Sequence, residues 1–125
     1  MKLIQTDNAP FPGGHYSQAI VHHGLVYVSG QLPIDPKTGV KQTGSIEQQT
    51  RLVLQNLSSI LEVSGSNLKQ VLKVQVYISD ISLWGKVNEI YAEILGDHRP
   101  ARVIVPTRDL HFGFKIEMDA VGTVE

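Results

Sequence analysis

The chain has 125 residues, 42% of them hydrophobic and 18% charged, and eleven Lys and Arg against twelve Asp and Glu give a net charge of −1. This near-neutral charge argues against nucleic acid or an anionic membrane as a partner. The absence of cysteine excludes disulfides, thiolate metal ligands and a cysteine nucleophile. The length predicts a single domain, residues 1–125. With neither a secretory h-region nor an apolar run of membrane-spanning length, we expect a cytoplasmic protein.

The N-terminal part is predicted to hold three strands, at residues 2–5, 17–21 and 25–30, with His22-His23-Gly24 as the turn between the last two. The adjacent histidines could suggest a metal. Neighbouring residues at a strand end point to opposite sides, however, and no acidic or cysteine ligand accompanies them. We therefore predict no metal site.

A loop with two prolines and two glycines, residues 8–14, precedes His15, Tyr16 and Ser17. These residue types prevent regular secondary structure and indicate a loop of defined shape. Such a loop is either the wall of a binding site or a plain connection, and the residues alone leave both open.

Two helices are predicted farther along the chain. Ser45 opens a capping box ahead of an apolar stripe at helical spacing, and Gly65 fits the position just beyond the helix end. The second helix is capped by Asp80 or Ser82 and ends at Gly96.

Three further strands are predicted at residues 71–78, 101–105 and about 114–123. Arg102 lies within the short apolar run of the middle one, which is typical of a buried strand. Because a guanidinium stays charged, burial requires a partner. That partner is either a carboxylate of the chain, Glu117 or Asp119, or an anionic ligand held by two hydrogen bonds.

The order of these elements predicts an α+β architecture. Two amphipathic helices can cover only one face of a six-stranded mixed sheet. The other face keeps apolar positions, such as Val26 and Val28 or their alternates, and self-association usually closes such a face. We therefore expect an oligomer, with sites near its subunit boundaries.

Four segments are distinctive in their order and spacing: Tyr16-Ser17-Gln18-Ala19, residues 28–36, residues 87–91, and Pro100-Ala101-Arg102 followed by Lys115-Ile116-Glu117. With them the chain, over residues 5–121, resembles the reactive intermediate deaminase A (RidA, or YjgF) family. The resemblance implies a fold similar to chorismate mutase, in a homotrimer whose sheets line a central β-barrel and whose ligand clefts lie between subunits. It also implies hydrolysis of reactive 2-imino acids, such as 2-iminobutanoate and 2-iminopropanoate, to 2-keto acids and ammonia, without a cofactor.

The family's site residues have counterparts here. The resemblance implies catalytic roles for Arg102, Glu117, Tyr16 and Ser29, and substrate-binding roles for Arg102, Gly30, Ile104 and Asn88. In this interpretation Arg102 holds the substrate carboxylate through two hydrogen bonds. Glu117 accepts a proton from the attacking water. An imine is already electrophilic, so neither a metal nor a covalent nucleophile is needed.

Two stretches depart from the family pattern. His15 occupies the place where most members have proline, and residues 106–113 replace a more usual apolar-Pro-Lys loop. His15 could face solvent, or it could tune the choice of substrate or the protonation of the leaving amine. Arg108 and His111 could reshape the entrance of the cleft.

Other interpretations stay open on sequence alone. One is a non-catalytic regulatory protein that binds a small carboxylate in the same cleft; another is a ribonuclease or translation inhibitor, against which the charge argues. Trp84 and Tyr91 fit the stripe of the second helix and are expected in the core. Asn88 either braces the cleft or satisfies core backbone groups, and Asp119 shares a strand face with Glu117.

Overall fold

The computed structural model describes residues 1–125 and confirms six strands and two helices. The strands are β1 (Lys2–Ile4), β2 (Ala19–His22), β3 (Leu25–Gln31), β4 (Val71–Ile78), β5 (Ala101–Pro106) and β6 (Ile116–Thr123), and the helices are α1 (Ile46–Val63) and α2 (Trp84–Leu95). Short 3₁₀ turns at Leu68–Gln70, Ile81–Leu83 and His111–Gly113 join them.

All six strands form one mixed sheet in the order β1-β2-β3-β6-β4-β5. Every neighbouring pair is antiparallel except β4 and β5, which are parallel. Parallel neighbours need a crossover, and α2 supplies it between these two strands. The last strand of the chain, β6, lies in the middle of the sheet and β5 forms one edge, so the predicted mixed sheet is confirmed.

The helix ends follow the predicted local chemistry. Ser45 Oγ accepts a hydrogen bond from Gln48 N at 3.1 Å, and the Gln48 side chain accepts one from Ser45 N at 3.1 Å, which completes the capping box of α1. Gly65 follows the helix with a φ of 88°. Asp80, however, caps the 3₁₀ turn before α2 through a 2.8 Å bond from Ser82 N to its Oδ1, and α2 itself begins at Trp84 without a side-chain cap.

Both helices lie on one face of the sheet, as predicted. The buried stripe of α1 packs against β3, β6 and α2 in one hydrophobic core. Residues along β6 alternate between buried and partly buried, which is the pattern of a strand with one covered face. The opposite face carries exposed apolar side chains, with Tyr27 47%, Val103 39% and Val105 38% exposed. Neither helix combines the length and apolar character needed to cross a membrane.

Two expectations about these elements are wrong. Strand β5 is an exposed sheet edge rather than a buried strand, because only one of its faces packs on the core. The rings of His22 and His23 are also in contact, with their centroids 3.9 Å apart. His23 has a φ of 49°, so the alternation of side chains that holds within a strand does not extend to it.

Candidate functional site

A cavity of about 540 Å³ opens where the N-terminal loop, the end of β3 and β6 meet. Four predicted site residues line it together: Tyr16, Ser29, Gly30 and Glu117. Its wall also includes side chains that the sequence did not single out as site residues, among them Phe11, Gln31, Leu32, Lys41 and Phe112. The loop of residues 8–14 therefore forms part of a cavity wall rather than a plain connection.

Gln18 fixes the shape of that loop. Its side chain is 2% exposed, and Nε2 donates to the carbonyl oxygens of Thr6 at 3.0 Å and Pro10 at 3.0 Å. Its Oε1 accepts from Thr6 N at 2.7 Å, so one amide satisfies backbone groups on both sides of the bend. The sequence signal was faint, since a lone glutamine beside a proline-rich loop has no periodic pattern.

Tyr16 and Ser29 are positioned by backbone contacts. Ser29 Oγ donates to Ser17 O at 2.6 Å, and Ser29 N donates to Gln18 O at 2.9 Å. Tyr16 is 51% exposed, and its hydroxyl oxygen accepts from Gly13 N at 3.2 Å. Both hydroxyl groups thus sit at fixed points of the cavity wall with acceptor capacity left for a ligand.

Gly30 makes room for the carboxylate of Glu117. A Cβ on Gly30 would overlap Glu117 Oε2 and lie 3.1 Å from Glu117 Cδ. The ladder between β3 and β6 shifts register between Val28 and Gln31, so Gly30 lies at an irregularity in the sheet. Glycine therefore leaves the space that the carboxylate occupies, and a side chain here would displace the acid.

Glu117 is a partly buried carboxylate with no hydrogen-bond or ion-pair partner in the chain. Burial raises its pKa above the ordinary value, the electrostatic interaction with His111 opposes that rise, and the interaction with nearby Asp119 adds to it. An acid whose pKa moves toward neutrality is suited both to accept and to return a proton near pH 7.

Asp119 shares the open sheet face with Glu117, as predicted from their spacing, but it is engaged. Tyr77 Oη donates to Asp119 Oδ2 at 3.2 Å. The Gln75 amide, oriented with its nitrogen toward the carboxylate, donates to Asp119 Oδ1 at 3.0 Å. Burial raises the pKa of Asp119 while the Tyr77 hydrogen bond lowers it. Of the two acids, Glu117 is the one free to act on a ligand.

Arg102 lies in a different place, beside α2. Its Nη1 donates to Asn88 Oδ1 at 2.9 Å, and its guanidinium carbon lies 4.7 Å from the ring centroid of Tyr91 and 5.7 Å from that of Trp84. The expected alternative of an ion pair with Glu117 or Asp119 is wrong, because neither acid contacts it. We call these four residues the Arg102 cluster, and three of them, Arg102, Asn88 and Tyr91, line a second cavity of about 470 Å³.

The structure also shows where the residues around Arg102 lie. Asn88 contacts Arg102 rather than core backbone. Tyr91 is 6% exposed, as expected of a core residue, but Trp84 is 42% exposed and that prediction is wrong. Trp84 is the first residue of α2, where the helix leaves the core, so its ring covers Arg102 instead.

Arg102 and Glu117 project from opposite faces of the same sheet. Arg102 pairs in register with Val74, which in turn pairs with Ala120, and both of these are 2% exposed on the helix-covered face. Glu117 pairs with Tyr77 on the open face. Within one chain, a small ligand therefore cannot contact both charged groups.

The remaining predicted positions fall in three places. Ile104 lies on the same face of β5 as Arg102 and packs against the core. His111 lines the Glu117 cavity, as expected of a residue at the entrance. His15 and Arg108 are exposed and lie outside both cavities.

Comparisons with known proteins agree on one family. The sequence model described as endoribonuclease L-PSP matches residues 6–124. A RutC family protein from Pyrococcus horikoshii is 46% identical over 99% of this chain and 98% of its own. The 2-iminobutanoate/2-iminopropanoate deaminase of Rattus norvegicus is 37% identical over 97% of this chain and 88% of its own.

Solved structures share the whole fold. A crystal structure from Thermotoga maritima has a TM-score of 0.96 and 44% sequence identity, and the match covers 100% of this chain and 98% of the Thermotoga chain. Escherichia coli TdcF with bound serine has a TM-score of 0.95 and 30% identity, with 100% of both chains covered. At least one relative thus binds a small carboxylate. The resemblance first seen in four segments extends over nearly the whole sequence, and the chain belongs to the endoribonuclease L-PSP family, which includes RidA.

Proposed function

We propose that this protein hydrolyses 2-imino acids, with 2-iminobutanoate and 2-iminopropanoate as the first candidates, to 2-keto acids and ammonia. The observation that carries the proposal is the unpaired, partly buried Glu117 carboxylate in a cavity with Tyr16, Ser29 and Gly30. The deaminase name of the rat relative and the serine bound to TdcF support it, since serine has the amino-carboxylate frame of such a substrate.

The chemistry needs one group that moves a proton both ways. Water attacks the carbon of the protonated imine while Glu117 takes a proton from it, and a neutral carbinolamine forms. Glu117 returns that proton to nitrogen. The C–N bond then breaks as the C=O bond forms, ammonia leaves, and the proton of the carbinolamine hydroxyl group passes to the Glu117 carboxylate, which releases it to ammonia or solvent. The raised pKa of Glu117 makes its carboxylate a stronger base for the first step than an exposed carboxylate would be.

The proposal assigns the substrate carboxylate to Arg102 of a neighbouring subunit. Arg102 and Glu117 lie on opposite faces of one sheet, so both can reach one substrate only if they belong to different copies. Arg102 uses one guanidinium donor on a neutral amide and has no anionic partner, which leaves donors for a carboxylate. A homotrimer with clefts between subunits would meet this requirement; that assembly and the cytoplasmic location stay predictions.

A coupled reaction tests the activity directly. A threonine dehydratase releases 2-iminobutanoate, semicarbazide traps it, and an active deaminase lowers semicarbazone formation in proportion to its concentration. We expect Glu117→Gln and Arg102→Ala each to reduce this activity by about 10²–10³-fold. The matched controls are Glu62→Gln and Arg51→Ala, exposed residues outside both cavities, and these should keep it. Full activity in Glu117→Gln would refute the assigned role.

A second candidate is a protein that binds small carboxylates without turnover. The unpaired donors of Arg102 are as consistent with this candidate as with a deaminase, because binding a carboxylate without turnover would also use them. Binding of 2-ketobutanoate to the folded wild-type protein without any effect on semicarbazone formation would favour this candidate. The ribonuclease suggested by the family's description receives no support from a chain with a net charge of −1.

A further inference from the structure

The entrance of the Glu117 cavity carries two exposed phenyl rings that the proposed chemistry does not use. Phe11 is 70% exposed and Phe112 is 61% exposed, and both line the cavity. They come from segments far apart in the chain, the N-terminal loop and the His111–Gly113 turn. Large apolar side chains left in water at a cavity entrance are typical of a binding surface.

The backbone at Phe112 is held in a conformation that disfavours a side chain. Phe112 has φ 56° and ψ 21°, and Gly113 follows with a φ of 73°. A left-handed residue other than glycine persists only where its surroundings fix it, and such positions cluster at binding sites. Here Phe114, 1% exposed, anchors the turn, with its ring centroid 5.8 Å from that of Phe112 at an interplanar angle of 78°.

Lys41, from another segment of the chain, contacts the same ring. Its Nζ lies 4.6 Å from the centroid of Phe112, within the range of a cation–π contact. Lys41 is itself fixed by a β-bridge to Ile34, which also lines the cavity. The ring is therefore oriented by contacts from two segments, although it remains exposed.

The cavity is larger than a small imino acid requires. 2-Iminopropanoate has six non-hydrogen atoms, and at about 30 Å³ each, the volume of a water molecule, it would occupy roughly 180 Å³. In one chain, without the neighbouring subunit whose Arg102 the proposed function brings to this site, the cavity measures about 540 Å³. Its lining includes Phe11, Leu32, Ile34 and Phe112, so part of the wall is apolar.

We propose that this apolar entrance is a subsite for the substrate side chain, that Phe112 and Phe11 determine specificity, and that the preferred substrates are 2-imino acids with a large apolar or aromatic side chain. This inference rests on the proposed function, because it names the substrate class of the same cavity. Binding such a side chain would bury both exposed rings, and that burial supplies the preference.

An L-amino-acid oxidase can supply the test substrates, since it generates the imine of alanine, leucine or phenylalanine in place; a glutamate oxidase supplies the acidic imine. Semicarbazide competition then gives the relative activity toward each. We expect at least about tenfold higher activity toward the phenylalanine-derived imine than toward the alanine-derived one, as one well-filled apolar pocket can provide. Phe112→Ala and Phe11→Ala should each lower that ratio by about tenfold.

The control is Val40→Ala, which removes an exposed apolar side chain next to Lys41 but outside the cavity, and its substrate ratio should equal that of the wild type. Phe112 is exposed, so its removal leaves the core intact, and Phe11→Ala tests the other wall independently. A wild-type ratio near one, or a ratio unchanged in both phenylalanine variants, would overturn the proposal. A preference for the glutamate-derived imine would also overturn the proposal, because it would mean that Lys41 and His111 at the entrance bind an acidic substrate side chain.

A separate measurement distinguishes this inference from the deaminase proposal. If no imine is hydrolysed, the affinities for 3-phenylpyruvate and pyruvate are compared by calorimetry. Tighter binding of 3-phenylpyruvate, lost in Phe112→Ala, would support the subsite while rejecting catalysis. Equal or absent binding of both acids would reject the subsite as well.

Discussion

The Glu117 cavity and the Arg102 cluster carry opposite charges, and within the chain each lacks a partner of the opposite sign. Glu117 is an acid with raised pKa and no cation bonded to it. Arg102 is a cation held by a neutral amide and two aromatic rings, with no acid bonded to it. Ordinary folding stability would favour pairing such charges or leaving them in water. Both are instead kept unpaired, on opposite faces of one sheet.

This difference shows how the two halves are built. The Glu117 side depends on close backbone approach, since Gly30 and the register shift in β3 admit the carboxylate. The Arg102 side depends on side-chain packing, since Asn88 and Tyr91 of α2 orient a guanidinium on the sheet edge. An edge strand is also where a neighbouring copy can approach, so the second half is suited to act on another subunit's cavity.

The largest expected effect separates an inter-subunit site from one within a chain. Arg102→Ala and Glu117→Gln should each be nearly inactive, about 10²–10³-fold below wild type. Unfolding the two variants together at equal concentration and refolding them should restore up to about a quarter of wild-type activity, because in a ring with heterologous contacts that fraction of clefts combines two intact halves. The coupled imine assay measures it.

Each variant refolded alone gives the baseline for that experiment. Size-exclusion chromatography of two differently tagged variants verifies that hybrids have formed. Hybrids that show no more activity than either parent would mean that Arg102 and Glu117 do not meet across a boundary.

A smaller effect is expected where the Glu117 half depends on glycine. Gly30→Ala places a methyl group against the Glu117 carboxylate, so the acid must move or the strand must shift. We expect about 10–10²-fold loss of activity and a loss of about 1–2 kcal/mol in the free energy of unfolding. Activity assays and urea unfolding measure the two.

Gly85→Ala is the matched control. Gly85 lies in α2, a Cβ there would meet nothing within 4 Å, and the residue lines neither cavity. The Gly85→Ala variant should keep full activity. Its free energy of unfolding should rise by about 0.5–1 kcal/mol, the usual gain for replacing a helical glycine. Wild-type activity in Gly30→Ala would show that the position of Glu117 does not depend on this contact.

Much of the fold followed from the sequence, because the deciding interactions are local. The capping box at Ser45, the glycine ends of both helices and the alternation in β6 each depend on nearest neighbours along the chain. The errors arose where tertiary position decides. Apolar residues in β5 suggested burial on both faces, and only the sheet order shows that this strand is an edge.

The candidate site was predictable only as a set of residues. The resemblance to the RidA family implied Tyr16, Ser29, Gly30 and Glu117, and these four line one cavity. Nothing in the sequence indicated that Arg102 faces the other way, because that depends on the register of β5 against β4. Lys41 and Phe112 were missed for a similar reason, since their contact joins two loops that follow no periodic pattern.

The smallest expected effect concerns stability rather than activity. In the folded chain the pKa of Glu117 is raised, mainly by burial, so the folded state binds a proton more tightly than the unfolded one. The stability that Glu117 provides is present below its unfolded pKa of about 4.3 and is lost as the pH rises through its folded pKa. Glu117→Gln removes this titration. At pH 7 to 8 the free energy of unfolding of the variant should therefore exceed that of the wild type by on the order of 1 kcal/mol, because site residues are commonly kept for function at a cost in stability. At pH 4 the two should be equal.

Thermal melts at pH 4, 5.5 and 8 measure the difference between variant and wild type. Asp80→Asn provides a control of opposite sign, because hydrogen bonds from Ser82 lower the pKa of Asp80. Its carboxylate stabilises the fold above the unfolded pKa, and this stability is lost only as the pH falls through the lowered folded pKa. Asp80→Asn should therefore be less stable than the wild type at pH 5.5 and 8, and should approach it only in a further melt below pH 4. A Glu117→Gln difference that stays constant across pH would mean that the carboxylate is paired or solvated in solution. Glu117 would then not be an unpaired acid that lowers the stability of the fold, and the contrast drawn with the Arg102 cluster would not hold.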